Sequence, residues 1–255
     1  MKLTILGSAD AYNSAGRFHS CYLLEAPGCG PVMIDIGGSG LVALRQSGRE
    51  PNEIQGLAIT HLHGDHLGGL PYLLLDCAYN HPRTATLPLV GPVGLADRVQ
   101  ALYASTYREL HTLPLKFDLP MTEIAPGESA TLAGFRIKGF LADHMDPPEQ
   151  PLSLRIEAPN GQIAAFSGDT AMNPQLLAAA EDVDVLVGEC SALKPPIGRH
   201  CTWEDWKTVL PNLSTPRVVL SHLNHRVRDE ISRLLTEVPP NVDLVFADDG
   251  LVLEF

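Results

Sequence analysis

Residues 60–69 constrain this chain more than any other segment, because they place three histidines and one aspartate within six positions. A short apolar run at 56–60 precedes the cluster and predicts a strand. Residues 67–77 predict a helix whose N-terminus is favoured by the negative charge of Asp65. A tight loop between the two elements turns several short side chains toward one point, and we expect Gly64 to remove a Cβ that would obstruct that turn.

The order of the four side chains predicts metal binding. His61 and His63 alternate and can share one metal ion, while Asp65 and His66 diverge toward a second. The alternative interpretation is a histidine-rich surface loop, or a helix cap that uses Asp65. That alternative leaves the presence of four ligand-type residues to coincidence.

The motif His-Leu-His-Gly-Asp-His at 61–66 resembles the HxHxDH signature of the metallo-β-lactamase superfamily of metallohydrolases. The resemblance implies further ligands at the ends of later strands, and His144, Asp169 and His222 match those positions, although each could instead cap a turn. It implies two metal ions with Asp169 bridging them. The expected ligands are His61, His63 and His144 for one ion, and Asp65, His66 and His222 for the other.

The ligand chemistry indicates which cations fit. Imidazoles and carboxylates without a thiolate suit two zinc ions, with manganese or iron as alternatives at the more oxygen-rich site. The resemblance implies that a hydroxide bridging the two ions is the nucleophile, and we count Asp65 among the catalytic residues as well as the ligands. Asp35 ends a strand near the site and is expected to brace a ligand rather than bind metal.

The resemblance covers essentially the whole chain and implies one hydrolase domain over residues 1–255 with an αββα sandwich. The residue pattern alone predicts only a mixed α/β fold. Asn173 with Pro174 marks the start of one helix, and Thr202 marks the start of another. The motifs are predicted to lie at strand ends. The predicted strands in question begin near residues 57, 162 and 217, and a predicted helix follows the first of them at 67–77.

Composition limits the compartment and the partners. The five cysteines form no CxxC pair and fit reduced thiols. No apolar stretch reaches the length of a membrane span, and the N-terminus predicts a strand instead of a signal sequence. We therefore expect a cytoplasmic enzyme without a membrane partner, and a homodimer is left open. The net charge of -12 argues against long nucleic acid as a substrate, whereas a small anionic substrate suits a pocket that holds cations.

Three segments favour one branch of the superfamily. Residues 188–191, 198–202 and 215–225 resemble the phosphodiesterase branch, which includes the tRNA 3′ endonuclease ribonuclease Z and the cyclic ribose-phosphate phosphodiesterase of phosphonate breakdown. In those enzymes a histidine acts on the leaving group, and His200 matches it, so that His200 is a candidate catalytic residue. The alternative is a loop histidine with a purely local role.

Two departures limit the transfer of either activity. Ribonuclease Z carries a long arm between the third histidine and the bridging aspartate, and the chain from His144 to Asp169 has no room for one. The phosphonate-pathway enzyme carries paired N-terminal cysteines that are missing here. We therefore predict a phosphodiesterase that acts on a small or cyclic phosphodiester. Arg199, Arg226 and Lys194 are candidate phosphate contacts, unless they are plain surface charges.

Other functions share part of this pattern. A ribonuclease Z-like endonuclease and a glyoxalase II-like thioesterase or lactonase would use the same ligand set. A non-catalytic binding module would be expected to have lost ligands, and every ligand position is filled in this chain. The segments around His200 and His222 favour the phosphodiesterase over the thioesterase and the lactonase.

Overall fold

In the computed structural model, residues 1–110, 112–195 and 198–255 are described. Fourteen strands in these residues form two seven-stranded sheets. The first six strands belong to the first sheet: β1 (Lys2–Gly7), β2 (Cys21–Glu25), β3 (Val32–Ile34), β4 (Gly56–Ala58), β5 (Leu89–Pro92) and β6 (Met121–Ile124). The next seven form the second sheet: β7 (Ser129–Leu132), β8 (Phe135–Leu141), β9 (Leu152–Glu157), β10 (Ile163–Phe166), β11 (Val185–Glu189), β12 (Arg217–Ser221) and β13 (Asp243–Phe246). The last strand, β14 (Val252–Glu254), returns to the first sheet beside β1.

The spatial order is β14-β1-β2-β3-β4-β5-β6 in the first sheet and β13-β12-β11-β10-β9-β8-β7 in the second. Strands β3 to β6 are mutually parallel, and so are β10 to β13. Parallel neighbours present their carboxyl ends at the same edge of a sheet. A backbone hydrogen bond of 2.8 Å from the amide of Leu152 to the carbonyl of Thr60 connects the two sheets beside the end of β4.

Helices cover both outer faces. Seven α-helices lie in the described residues: α1 (Gly40–Gln46), α2 (Gly64–Leu67), α3 (Leu70–Leu75), α4 (Leu95–Thr106), α5 (Pro174–Ala179), α6 (Trp203–Val209) and α7 (His225–Leu234). Buried residues of α1, α3 and α4 pack on the first sheet, and those of α5, α6 and α7 pack on the second. None of the helices in the described residues is long and apolar enough to cross a membrane.

The inner faces of the sheets form the central core. Side chains such as Leu3 and Ile34 from the first sheet pack against Phe135, Ile156 and Val219 from the second, and all five are buried. Removing such apolar surface from water contributes roughly 25 cal/mol per Å² to stability. Helix, sheet, sheet and helix therefore form four layers, and the predicted αββα sandwich is confirmed.

Candidate metal centre and cleft

The motif after β4 supplies four of the predicted ligands. His61 and His63 lie on the loop, and Asp65 and His66 lie in the short helix α2, with Asp65 in its first turn. The expectation for Gly64 is wrong, because a Cβ at this position would have no atom within 4 Å and the residue starts α2 without a left-handed backbone. The turn that carries Asp65 and His66 is therefore the start of a helix, and it does not depend on a missing Cβ at Gly64.

The remaining predicted ligands follow strands of the second sheet. His144 follows β8, Asp169 follows β10 and His222 follows β12. Gly168 has a φ of +57°, and a Cβ at that residue would lie 2.9 Å from the Cβ of Thr60, so glycine is required immediately before Asp169. His222 itself adopts a φ of +54°. Such backbone conformations cost about 1–3 kcal/mol in a residue with a Cβ, and they concentrate at functional sites.

Three histidines form a first group that could hold a metal ion. One ring nitrogen from each of His61, His63 and His144 lies within 4.8 Å of the others. Nδ1 of His63 is 3.2 Å from Nε2 of His61 and 3.0 Å from Nε2 of His144. Burial and the neighbouring His66 ring hold the pKa of His61 well below its usual value. His61 therefore offers a neutral imidazole nitrogen, the form that binds a metal ion.

The second group contains Asp65, His66, Asp169 and His222. Oδ1 of Asp169 is 3.1 Å from Nε2 of His66, and its Oδ2 is 3.4 Å from Nε2 of His222. The same Oδ2 is 3.8 Å from Nε2 of His61, which belongs to the first group. The Asp169 carboxylate therefore lies between the two groups, where one side chain can contact two cations.

Two buried polar atoms indicate that this cluster suits a bound cation. Nε2 of His66 and Oδ1 of Asp169 are buried, and although they lie 3.1 Å apart, neither makes a hydrogen bond of acceptable geometry with any partner. Polar atoms in this situation are costly unless an ion or water satisfies them. Although burial alone would raise it, the adjacent His222 and His66 rings hold the pKa of Asp169 well below its usual range. An ionised carboxylate beside an unpaired imidazole nitrogen matches the donor set of a divalent cation.

A hydrogen-bond network fixes the orientation of His66. Its Nδ1 lies 2.7 Å from Oδ2 of Asp35. Asp35 in turn accepts hydrogen bonds of 2.8 Å from both the amide and the hydroxyl of Thr60. The prediction that Asp35 braces a ligand is confirmed. Such partners orient the ligand ring and raise its basicity.

Glu189 is a site residue to which sequence reasoning assigned no role. It ends β11, it is buried, and its Oε1 is 2.8 Å from Nδ1 of His200 and accepts a 2.8 Å hydrogen bond from the amide of Thr170. Its Oε2 accepts a 2.6 Å hydrogen bond from the hydroxyl of Ser191, which also lies 2.8 Å from Nδ1 of His222. The sequence feature that could have identified Glu189 is its position as a carboxylate at the end of an apolar strand.

The environment of His200 favours its protonated form. Burial opposes the charge, but the hydrogen bond to Glu189 and the charge of that carboxylate raise the pKa of His200 above its usual value. The ring centroid lies 4.7 Å from that of His144 and 5.7 Å from that of His222. His200 therefore stands beside both ligand groups, with Nδ1 engaged and Nε2 left for another partner.

These side chains line a cleft of about 220 Å³. The lining residues are Asp10, Ala11, Tyr12, His63, Asp65, His144, Asp169, Ser191, His200, His222 and Asn224. None of these described lining residues is lysine or arginine. Positive charge in the cleft must therefore come from histidines and bound cations.

The three residues predicted to contact phosphate are not among the residues that line the cleft. The guanidinium of Arg199 is 2.7 Å from the carboxylate of Asp146 and 3.6 Å from that of Asp143. Lys194 and Arg226 are exposed and are not among the residues that line the cleft. The structure therefore does not bring these three cations together with the ligand cluster.

Comparison with known proteins gives a family and a fold. A family model described as anti-Pycsar protein Apyc1 matches residues 1–235. An uncharacterized protein of Mycobacterium tuberculosis is 30% identical over 255 residues, which cover 98% of this chain and 91% of that protein. A ribonuclease Z of Nitrosopumilus maritimus is 24% identical over 304 residues, with 100% and 99% of the two chains covered.

Solved structures show the same architecture. The metallo-β-lactamase fold protein YhfI from Bacillus subtilis has a TM-score of 0.78 at 19% identity, with 99% of both chains covered. A diphosphatase from the PhnP family has a TM-score of 0.78 at 18% identity, with 100% of this chain and 97% of that one covered. The short form of human tRNase Z has a TM-score of 0.76 at 23% identity, with 100% and 99% covered. The chain therefore has the metallo-β-lactamase fold.

Proposed function

The chain belongs to the family described as anti-Pycsar protein Apyc1, and on that premise we propose that it is a metal-dependent phosphodiesterase acting on a small or cyclic phosphodiester. The observation that carries the proposal is the hydrogen-bonded pair of Glu189 and His200 beside the ligand cluster. The ligand set alone would also suit a thioesterase or a lactonase. A histidine held ready to donate a proton suits the alkoxide that leaves when a phosphodiester is cleaved.

The ligand set determines what a cation contributes. Bound divalent ions, for which zinc is the best match to this donor set, would neutralise phosphoryl oxygens and lower the pKa of a water nucleophile. We assign His61, His63 and His144 to one ion, Asp65, His66 and His222 to the other, and Asp169 to both. Because no lysine or arginine lies among the described residues of the cleft lining, an anionic substrate depends on these ions.

The side chains of the cleft have distinct roles in this proposal. Burial alone would raise the pKa of Asp65, but contacts with His222 and His66 hold it well below its usual range, so its carboxylate stays ionised. Asp65 can then accept a hydrogen bond from the attacking water and orient it. Nε2 of His200 gives its proton to the leaving oxygen, since Nδ1 is held by Glu189. A placed general acid of this kind contributes roughly 10²–10⁴-fold to the rate.

The dimensions of the site favour a small substrate. The cleft of about 220 Å³ is below the roughly 300–1,000 Å³ of typical ligand pockets. Between His144 and Asp169 the chain forms β9 and β10 of the second sheet, and the described residues contain no arm in this interval. The alternative substrate is the 3′ trailer of precursor tRNA, because ribonuclease Z sequences align over the full chain.

The leaving group provides a test of the proposed chemistry. In His200→Ala we expect kcat to fall by about 10²–10⁴-fold for a diester with a poor alkoxide leaving group, and much less for p-nitrophenolate, which needs little protonation. Glu189→Gln should show the same selectivity with a smaller loss. Steady-state kinetics at saturating metal, with metal content measured for each variant, give the ratio of the two losses.

A matched control removes an exposed imidazole at the start of α7, in His225→Ala, and should leave both substrates unaffected. Equal losses for both leaving groups in His200→Ala would mean that this histidine acts through stability. A loss of metal from the same variant would mean that it is a ligand. Either result contradicts the general-acid assignment.

A further inference from the structure

The loop between β1 and β2 forms one wall of the cleft mouth. Asp10, Ala11 and Tyr12 of this loop line the cleft together with the ligand residues. Tyr12 is 84% exposed, which is the highest value among the exposed large hydrophobic side chains of the described residues. An aromatic ring usually buries most of its surface, so an exposed ring beside a ligand cluster requires an explanation.

The backbone under Tyr12 is held firmly. Asp10 is buried, and its carboxylate accepts hydrogen bonds of 3.2 Å from the amides of Tyr12 and Ser14 and one of 2.9 Å from the Ser14 hydroxyl. Asn13 and Ala15 have φ angles of +50° and +57°. Left-handed conformations outside glycine persist only where surrounding contacts enforce them. The loop is therefore ordered at the expense of local strain, while the ring that it carries stays in solvent.

The loop is also attached to a ligand-bearing segment. The side-chain amide of Asn224 donates a 3.0 Å hydrogen bond to Asp10, and the backbone amide of Leu223 donates one of 3.0 Å to the carbonyl of Ser8. Asn224 and Leu223 directly follow His222. The distance between the Tyr12 backbone and this ligand is therefore fixed by the fold, as a residue that positions a substrate requires.

We propose that Tyr12 is a substrate-positioning residue whose ring stacks on a planar ring system, such as a nucleobase, attached to the phosphodiester. This inference rests on the proposed phosphodiesterase function. A cleft of about 220 Å³ holds little more than the phosphodiester and its sugar, so a planar substituent extends to the mouth, where Tyr12 lies. Stacking on an aromatic side chain tolerates any base, since every base presents a π-face.

Matched substrates separate stacking from chemistry. The first is 3′,5′-cyclic adenosine monophosphate, and the second is 1-deoxyribofuranose 3′,5′-cyclic phosphate, which has the same cyclic diester and a hydrogen in place of the base. We expect Tyr12→Ala to raise KM for the first substrate about tenfold with kcat unchanged, which is within the range for loss of one stacked base. The same change should leave KM for the second substrate unaltered.

Two further variants complete the experiment. Tyr12→Phe keeps the ring and should restore the wild-type KM. Tyr79→Ala removes another exposed tyrosine, 54% exposed and outside the cleft lining, and should alter neither constant. Equal effects of Tyr12→Ala on both substrates, or no effect on either, would overturn the stacking role while leaving the phosphodiesterase intact. Failure of the wild-type enzyme to hydrolyse both diesters would instead remove the proposed function and this inference with it.

Discussion

Two histidines of the second candidate group, His222 and His66, favour a protonated form that a bound metal ion would displace. Burial opposes the charged form of His222, but the Asp169 carboxylate and the contact with Asp65 raise its pKa to about 9. Burial also opposes the charged form of His66, but the carboxylates of Asp169 and Asp35 raise its pKa well above its usual value. Ligands must lose such protons to bind a metal, so metal binding and proton release are coupled in the second group.

The central position of Asp169 leads to a prediction about metal content. Asp169→Ala removes the carboxylate that lies between the two ligand groups and leaves two cations to repel each other. We expect less than one metal ion to be retained per chain and activity to fall by more than about 100-fold, beyond the 10–100-fold typical of a partner that only orients a ligand.

Elemental analysis of protein purified without chelator, followed by diester hydrolysis, measures both quantities. Asp243→Ala is the matched control, because it removes an exposed carboxylate that pairs only with Arg217 in the described contacts. Full metal content in Asp169→Ala would show that this residue does not join the two sites.

Among the site residues, the sequence alone indicated those that lie close together along the chain. The four predicted ligands at 61–66 lie within six positions, so the sequence motif contains all of them. Glu189 lacked a visible partner because its role depends on the side-by-side pairing of β11 with β12, in which it lies opposite Ser221. Lys194 and Arg226 were named as candidate phosphate contacts because of their charge, and that assignment stays a prediction, although neither residue lines the cleft.

Individual elements followed local signals where those signals were strong. Asn173 caps α5 by accepting hydrogen bonds from the amides of Gln175 and Leu176, and Thr202 caps α6, as the sequence predicts. The structure adds a reciprocal capping box between Thr202 and Asp205. The predicted helix at 67–77 is instead divided into α2, α3 and a π-helical turn at Asp76–Asn80. Strand β6 was not predicted, since two of its four residues are exposed and its apolar pattern is weak.

Two glycines that lie beside predicted ligands, Gly168 and Gly64, allow the steric demands of their two turns to be compared. Gly168 has a positive φ and no space for a Cβ, whereas Gly64 starts α2 beside open space. We expect Gly168→Ala to lower the free energy of unfolding by about 1–3 kcal/mol and to displace Asp169. Gly64→Ala should be neutral or stabilising by up to about 1 kcal/mol, because alanine favours a helix.

Urea unfolding at a fixed metal concentration measures the difference between the two variants, and metal analysis reports on Asp169. Similar destabilisation in both variants would mean that the motif after β4 needs its glycine as much as the turn after β10 does. That outcome would contradict the assignment of steric constraint to Gly168 alone.

The whole molecule combines an acidic surface with a small cleft. The net charge of -12 disfavours binding to a phosphate backbone, which depends on lysine and arginine. The order of fourteen strands in two sheets is a non-local property, so periodicity predicted only mixed α/β and the resemblance supplied the sandwich. The net charge could be calculated from the composition. The size of the cleft could not be predicted, because it depends on the positions of loops that are far apart in the chain.

We propose above that this enzyme cleaves small phosphodiesters in preference to RNA, thioesters and lactones. The most direct measurement compares kcat/KM on one metal-supplemented preparation for bis-p-nitrophenyl phosphate, a cyclic phosphodiester, S-lactoylglutathione, a lactone and a precursor tRNA with a 3′ trailer. We predict zinc- or manganese-dependent hydrolysis of the two small diesters and little or none of the other three substrates. Cleavage of the tRNA trailer with an efficiency comparable to that of the small diesters, or faster turnover of the thioester or lactone, would contradict the proposed preference for small phosphodiesters.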